Sequence, residues 1–184
     1  MRSLRRWLAL ALLPLLAGCG PTRDAREFEA WRARIAAAEK ITFDAAITAH
    51  WEDAATTFTV RVEHRGGETM TEITAPEPIA GIAFRRSSET DWLVFDDLIL
   101  DLDAGHINAV APCEAPARLL AAILDGMPRS FGRDGDGSTV ALEGLDGENV
   151  TLWRSPDGTP YRAEIERGGV TELTMKIENW DPKR

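Results

Sequence analysis

Gly66-Gly67 stands between two runs of alternating apolar residues, and this pair constrains the fold more than any other local feature of the chain. A two-residue hairpin turn needs positive φ at both central positions, which paired glycines adopt without steric cost. Setting His64 opposite Thr69 aligns Val60 with Ile73, Val62 with Thr71 and Phe58 with Ala75 on one face, and Arg61 with Glu72 on the other. Turn chemistry and apolar pattern therefore agree on one register. Gly168-Gly169 fails the same test, because a two-residue turn would set Ile165 against Glu172 and Ala163 against Thr174. One added residue aligns Ile165 with Leu173, Ala163 with Met175 and Tyr161 with Ile177, which predicts a longer, bulged loop.

Other short runs share this character. Strands are expected at Ile41–His50 and Thr56–His64 around a turn from Trp51 to Ala55, then at Gly81–Arg86, Asp91–Phe95, Leu98–Leu102 and Ile107–Ala111. Further strands follow at Ser138–Glu143, Glu148–Trp153, Pro160–Arg167 and Val170–Trp180, with Gly132–Gly137 a polar connector. Two segments carry helical spacing instead. Phe28, Trp31, Ile35 and Ala38 form a stripe within Asp24–Glu39. Ala115–Leu124 has Pro116 in its first turn, Leu119, Leu120, Ile123 and Leu124 as its stripe, and Gly126 and Pro128 to stop it. Short connections make neighbouring strands antiparallel, so the expected product is mainly β (α+β): one large curved sheet with an N-terminal and a mid-chain helix covering one face.

The first residues follow a different logic. Arg2, Arg5 and Arg6 precede an apolar run from Trp7 to Leu16, which ends in Leu16-Ala17-Gly18-Cys19. Ten residues fall well short of the roughly 20 that span a bilayer, and a basic start, an apolar middle and small residues before a cut describe an export signal. A cysteine directly after the small pair resembles the lipobox of bacterial lipoproteins, in which the signal is removed and the thiol is acylated. The division expected is residues 1–18 as signal, 19–24 as lipidated Cys19 and tether, and 25–184 as one domain. Acyl burial contributes about 0.8 kcal/mol per methylene, so two or three chains make a durable anchor. The five tether residues reach roughly 17 Å at about 3.3 Å each, which keeps the domain near the bilayer.

The whole chain has a formal charge of −9, and residues 1–18 contribute three arginines and no acid, so the mature chain carries −12. Nucleic acid is excluded as a partner, because its binding depends on cations meeting phosphates. Cys113 is then the single unmodified thiol, so no internal disulfide can form; beside Pro112 and an apolar helix it reads as a buried residue rather than a nucleophile.

Several segments together resemble the LolA/LolB-like periplasmic lipoprotein carriers. They are the lipobox, the early helix with Trp31, the hairpin leading into Ile73-Thr74-Ala75-Pro76, the strand Trp92-Leu93-Val94-Phe95, the mid-chain helix and the closing strands from Gly158-Thr159-Pro160 to Asn179-Trp180. Ala75-Pro76-Glu77 with Ile79-Ala80-Gly81-Ile82 is similar to small lipoproteins of anaerobic Gram-positive spore formers, including GerS-like germination lipoproteins. The resemblance implies an incomplete barrel whose concave apolar face is covered by helices and holds acyl chains. Carriers of this family that cross the periplasm are soluble, whereas this chain is expected to carry an anchor, as receptors of the same fold do.

Phe58, Val60, Val62, Ile82, Phe84, Trp92, Val94, Leu119, Leu120 and Ile123 are the residues expected to line such a cavity, unless they pack on one another as a core. Other constellations are weaker. Asp96, Asp97, Asp101 and Asp103 fall on different faces and turns, and Asp134-Gly135-Asp136-Gly137-Ser138 opens like a calcium loop but has Thr139 and Leu145 where a glycine and an acid belong. His50, His64 and His106 are too scattered to ligate a metal, and no nucleophile is paired with a base. The expectation is a non-enzymatic lipoprotein without metal or cofactor, exported and held by lipid on the outer face of the cytoplasmic membrane or on the outer membrane. It would bind a lipid or the acyl part of a lipoprotein; the alternative is a GerS-like adaptor that docks an exported partner such as a cell-wall amidase.

Overall fold

A computed structural model of the chain describes residues 22–51, 54–87, 90–96, 98–101, 111–144 and 147–184. Cys19 and the expected signal lie outside these residues. The first helix, α1 (Arg23–Ala36), starts where the Thr22 hydroxyl accepts the Ala25 N–H at 3.2 Å. That hydroxyl satisfies one of the amides a helix start leaves open. Phe28, Trp31 and Ile35 form its buried stripe. The helix stops three residues before the expected Glu39, because the chain must be extended from Lys40 onward to pair with the sheet.

Eleven strands follow: β1 (Lys40–Trp51), β2 (Ala54–Arg65), β3 (Glu68–Ala75), β4 (Ala83–Arg86), β5 (Asp91–Phe95), β6 (Leu98–Asp101), β7 (Met127–Asp134), β8 (Gly137–Glu143), β9 (Asn149–Arg154), β10 (Pro160–Arg167) and β11 (Val170–Lys183). The second helix, α2 (Ala111–Asp125), lies between β6 and β7 in the chain. All described strands join one antiparallel sheet in the order β6-β5-β4-β3-β2-β1-β11-β10-β9-β8-β7. Strands adjacent in the chain are adjacent in the sheet except β6 and β7, which the second helix separates, and the one pairing of strands distant in the chain, β1 with β11, lies in the middle. The sheet is open, with β6 and β7 outermost, as an incomplete barrel requires.

Both glycine pairs turn the chain, with one departure each. Around Gly66-Gly67 the pairs His64–Thr69, Val62–Thr71, Arg61–Glu72 and Val60–Ile73 form as expected. A bulge between Thr59 and Val60 then sets Ala75 against Thr59 rather than Phe58. At Gly168-Gly169, Arg167 pairs with Val170, so the turn itself has two residues and not three. The extra residue is Glu172, accommodated by a shift between Ile165 and Glu166 that restores Ile165–Leu173 and Ala163–Met175.

Two boundaries differ more. Residues 127–134, expected as a helix stop and polar connector, form β7 along the sheet edge, where Pro128 need not donate to a second neighbour. Helix α2 begins at Ala111, not Ala115, which places Pro116 inside the helix and ends the expectation of a strand at Ala111. The rest of that expected strand, residues 107–110, lies outside the described residues. Trp51 pairs with Ala54 and belongs to a strand instead of a turn.

One face of the sheet is mainly apolar. Along β1 the buried positions are Ile41, Phe43, Ala45, Ile47 and Ala49, alternating with half-buried Lys40, Thr42, Asp44, Ala46 and Thr48. Directly opposite lie Val62, Val60 and Phe58 of β2 and Ile177, Met175 and Leu173 of β11. The stripes of both helices join these residues in a single core. Wholly burying a side chain such as Phe28 or Phe43 contributes about 1.5–3 kcal/mol, so this face holds the domain together.

Candidate functional site

The inner face is traced by cross-strand pairs. Phe43 pairs with Val62, Val62 with Thr71, Thr71 with Phe84, Phe84 with Leu93 and Leu93 with Leu100. Opposed residues share a face, so these six form one row from the sheet centre to its edge. Burial changes along it. Phe43, Val62, Thr71 and Phe84 are buried, Leu93 is half-buried, and Leu100 is 46% exposed.

Helix α2 covers the buried end of this row and is fixed by ion pairs at two places. Near its start, Glu114 lies 3.5 Å from Arg86 of β4, whose guanidinium also grips both carboxylate oxygens of Asp91. That hydrogen bond to Asp91 raises the Arg86 pKa, with burial opposing it. One turn along α2, Arg118 reaches Glu148 at 2.7 Å and Glu172 at 3.3 Å. Arg167 joins Glu148 from the β10–β11 hairpin at 2.5 Å. At the far end Arg32 of α1 donates to the Gly126 carbonyl at 2.7 Å, satisfying an acceptor the end of α2 leaves open.

Of the ten residues expected to line a cavity, Val60, Val62, Phe84, Leu119, Leu120 and Ile123 are core, each at most 1% exposed. Phe58 and Ile82 are half-buried against that core. Trp92 and Val94 sit elsewhere. Trp92 pairs with Arg85 and Val94 with Ala83, one step out of phase with Phe84, so both face away from α2. The Arg85 guanidinium lies 5.5 Å from the Trp92 ring, a cation–π contact on the outer face. On that strand Leu93 is the residue opposite Phe84 and on its face.

The weaker constellations have local partners. Cys113 is buried in α2, and desolvation, with a smaller contribution from Glu114, pushes its thiol up to about 11. Asp134 accepts from the Tyr161 hydroxyl at 3.1 Å beside the turn at residues 135–136. His50 meets Thr174 at 3.1 Å and His64 meets Thr69 at 2.9 Å, each across a strand pair. Asp97, Asp103 and His106 lie outside the described residues, as does the side chain of Asp101.

One feature of the inner face escaped the sequence reading. Along β9 the inward slots hold Val150, Leu152 and then Arg154, which is 7% exposed. Its guanidinium lies 4.7 Å from the Trp31 ring and 5.3 Å from that of Phe28. Burial and the nearby Arg34 charge lower its pKa, with Glu27 opposing. It borders a cleft of about 500 Å³ between α1, the β7–β8 turn and the β9–β10 loop. In that loop Gly158, at φ +87°, closes on Trp31: a Cβ there would sit 3.2 Å from Trp31 Cδ1. The available signal was a cation in the third inward slot of an otherwise apolar strand.

No protein-family model matches the sequence, and no curated protein matches it. Solved structures do. A LolA superfamily protein from Nitrosomonas europaea is 15% identical, over 89% of this chain and 94% of that one, with a TM-score of 0.51. A putative outer membrane lipoprotein-sorting protein domain from Vibrio parahaemolyticus is 12% identical, over 83% and 88%, with a TM-score of 0.49. The complex of the CwlD amidase with the GerS lipoprotein from Clostridioides difficile contains a chain 10% identical, over 88% and 97%, with a TM-score of 0.39. Only the first is similar enough in backbone to bear on this chain, and what it shows is the fold. The chain has a LolA-like fold, as its sequence resemblance implied.

Proposed function

We propose that this protein is an exported, non-enzymatic lipoprotein, anchored through an acylated Cys19, that binds a hydrophobic ligand on the inner face of its open sheet. The ligand is a lipid or the acyl part of another lipoprotein. The carrying observation is the inner row itself, which runs from buried Phe84 through half-buried Leu93 to Leu100 at 46% exposure. An apolar face that continues past its helical cover offers acyl chains a place beside the core without unpacking it. The LolA-like fold supports this reading, and so does the sequence at the lipobox. Thr22 caps α1 only three positions after Cys19, which would hold this face close to the lipid.

Uptake of a fluorescent fatty acid by a Cys19→Ser chain tests the ligand. Leu93→Arg and Leu100→Arg should each lower affinity at least tenfold while leaving the fold intact. Unchanged uptake in both folded variants contradicts the placement. Metabolic labelling with palmitate tests the anchor: the wild-type chain should take up label and Cys19→Ser should not.

A second reading rests on β6. Leu98, Ile99 and Leu100 are 56%, 65% and 46% exposed on the outermost strand, so both of its faces present apolar side chains. Such an edge suits strand addition by an exported protein partner. An adaptor of this kind would co-purify with that partner and take up no fatty acid.

A further inference from the structure

Arg154 is a buried cation without an ion pair among the described residues, its charge offset only in part by Glu27. Its Nε is buried and has no hydrogen-bond partner among the described residues. Aromatic faces stabilise one side of the charge, but a buried Nε–H without an acceptor is costly. Arg34, an exposed cation, lines the same cleft without an ion pair among the described residues and repels the Arg154 charge. Four acids line the cleft, and three of them are engaged, while Asp136, in the β7–β8 turn, makes no ion pair among the described residues. Glu27 is held by Arg23 at 2.7 Å, Asp24 lies 3.7 Å from Arg133, and Asp157 accepts from the Ser155 hydroxyl and from the N–H and hydroxyl of Thr159. Those hydrogen bonds from Ser155 and Thr159 keep Asp157 below the usual carboxylate range and so ionised.

The geometry points to a phosphate-binding site in the cleft between α1 and the β9–β10 loop, with Arg154 and Arg34 as its two cationic donors. Two guanidiniums on one cleft suit a doubly charged oxyanion better than a carboxylate, and guanidinium groups match phosphate oxygens in pairs. About 500 Å³ exceeds what a bare phosphate needs and admits a small group attached to it. That phosphate is either free in solution or carried on a lipid headgroup. The cleft borders the first turns of α1, so an anchor at Cys19 would bring headgroups to it. This site is separate from the acyl-binding row at Phe84, Leu93 and Leu100, and either proposal can fail without the other.

Isothermal titration of the full-length protein in a nonionic detergent with inorganic phosphate and with glycerol 3-phosphate, each against chloride at equal ionic strength, tests it. Saturable binding to the wild type is expected. Arg154→Met removes the charge while keeping an unbranched side chain and should weaken phosphate binding at least tenfold; Arg34→Gln, at an exposed position, should weaken it about threefold. Tighter binding of glycerol 3-phosphate supports a lipid headgroup as the source, and equal or weaker binding supports the free anion. Absence of saturable heat with both probes overturns the proposal, as does wild-type affinity in both variants. If Arg154→Met fails to fold, Arg34→Gln decides: full affinity in that variant overturns the site.

Discussion

Arg118 and Glu148 meet at 2.7 Å between α2 and the start of β9, with side chains 11% and 6% exposed. They join the helical cover to the half of the sheet farthest from its open β6 edge. Removing one partner of a buried pair costs about 3–5 kcal/mol, because the other charge stays buried. Glu148→Gln should therefore lower unfolding free energy by about 3 kcal/mol, the lower end, since Glu172 remains 3.3 Å from Arg118. Urea denaturation of both chains checks this, and an unchanged midpoint would mean that α2 is held by apolar packing alone.

His64 gives the fold a pH dependence near neutrality. Burial lowers its pKa from the ordinary value of 6.5, so the unfolded chain takes up this proton at higher pH than the folded one. The associated stability is present above 6.5 and is lost as pH falls from there through the lowered folded value. Thermal midpoints measured from pH 7.5 to pH 5 should fall over that window, and His64→Gln should flatten the profile there.

Cys113 should be inert in the folded protein. Its thiol is buried and pushed up to about 11, so almost none is thiolate at pH 8. In a Cys19→Ser chain, a maleimide should label Cys113 only after denaturant is added. Rapid labelling of the native chain would mean that α2 opens readily from the sheet.

Gly158 should resist substitution. At φ +87°, with a Cβ position 3.2 Å from Trp31 Cδ1, Gly158→Ala should cost about 1–2 kcal/mol through backbone conformation and through displacement of Trp31. A stability loss with a changed near-ultraviolet dichroism signal is the expected outcome, and wild-type values for both would mean that the loop accommodates a Cβ freely.

What could be read in advance depended on how local its cause was. The Gly66-Gly67 register was legible because turn chemistry and side-chain alternation fix it within one hairpin. The bulge at Thr59 has no such signature, and it moved Ala75 by one position. Gly168-Gly169 showed that an extra residue was needed, but alternation alone could not say whether it sat in the turn or, as Glu172 does, in the strand. Strand β7 was missed because an edge strand with Pro128 and Gly132 and mostly exposed side chains carries no apolar alternation. Alternation within Trp92-Leu93-Val94-Phe95 does not say which face is inward; Trp92 faces outward because it pairs with Arg85, a register set by β3 and β4 together. The Arg154 cleft needs α1 folded across β9, a contact between residues more than 120 positions apart in the chain.

Native mass spectrometry of a Cys19→Ser chain, purified from cells without detergent and followed by lipid extraction, tests the central claim most directly. Acyl-containing mass bound to the folded protein, lost in Leu93→Arg, is the predicted result. A clean apo mass that gains nothing from added fatty acid would contradict ligand binding on the inner face and turn attention to the apolar β6 edge and an exported protein partner.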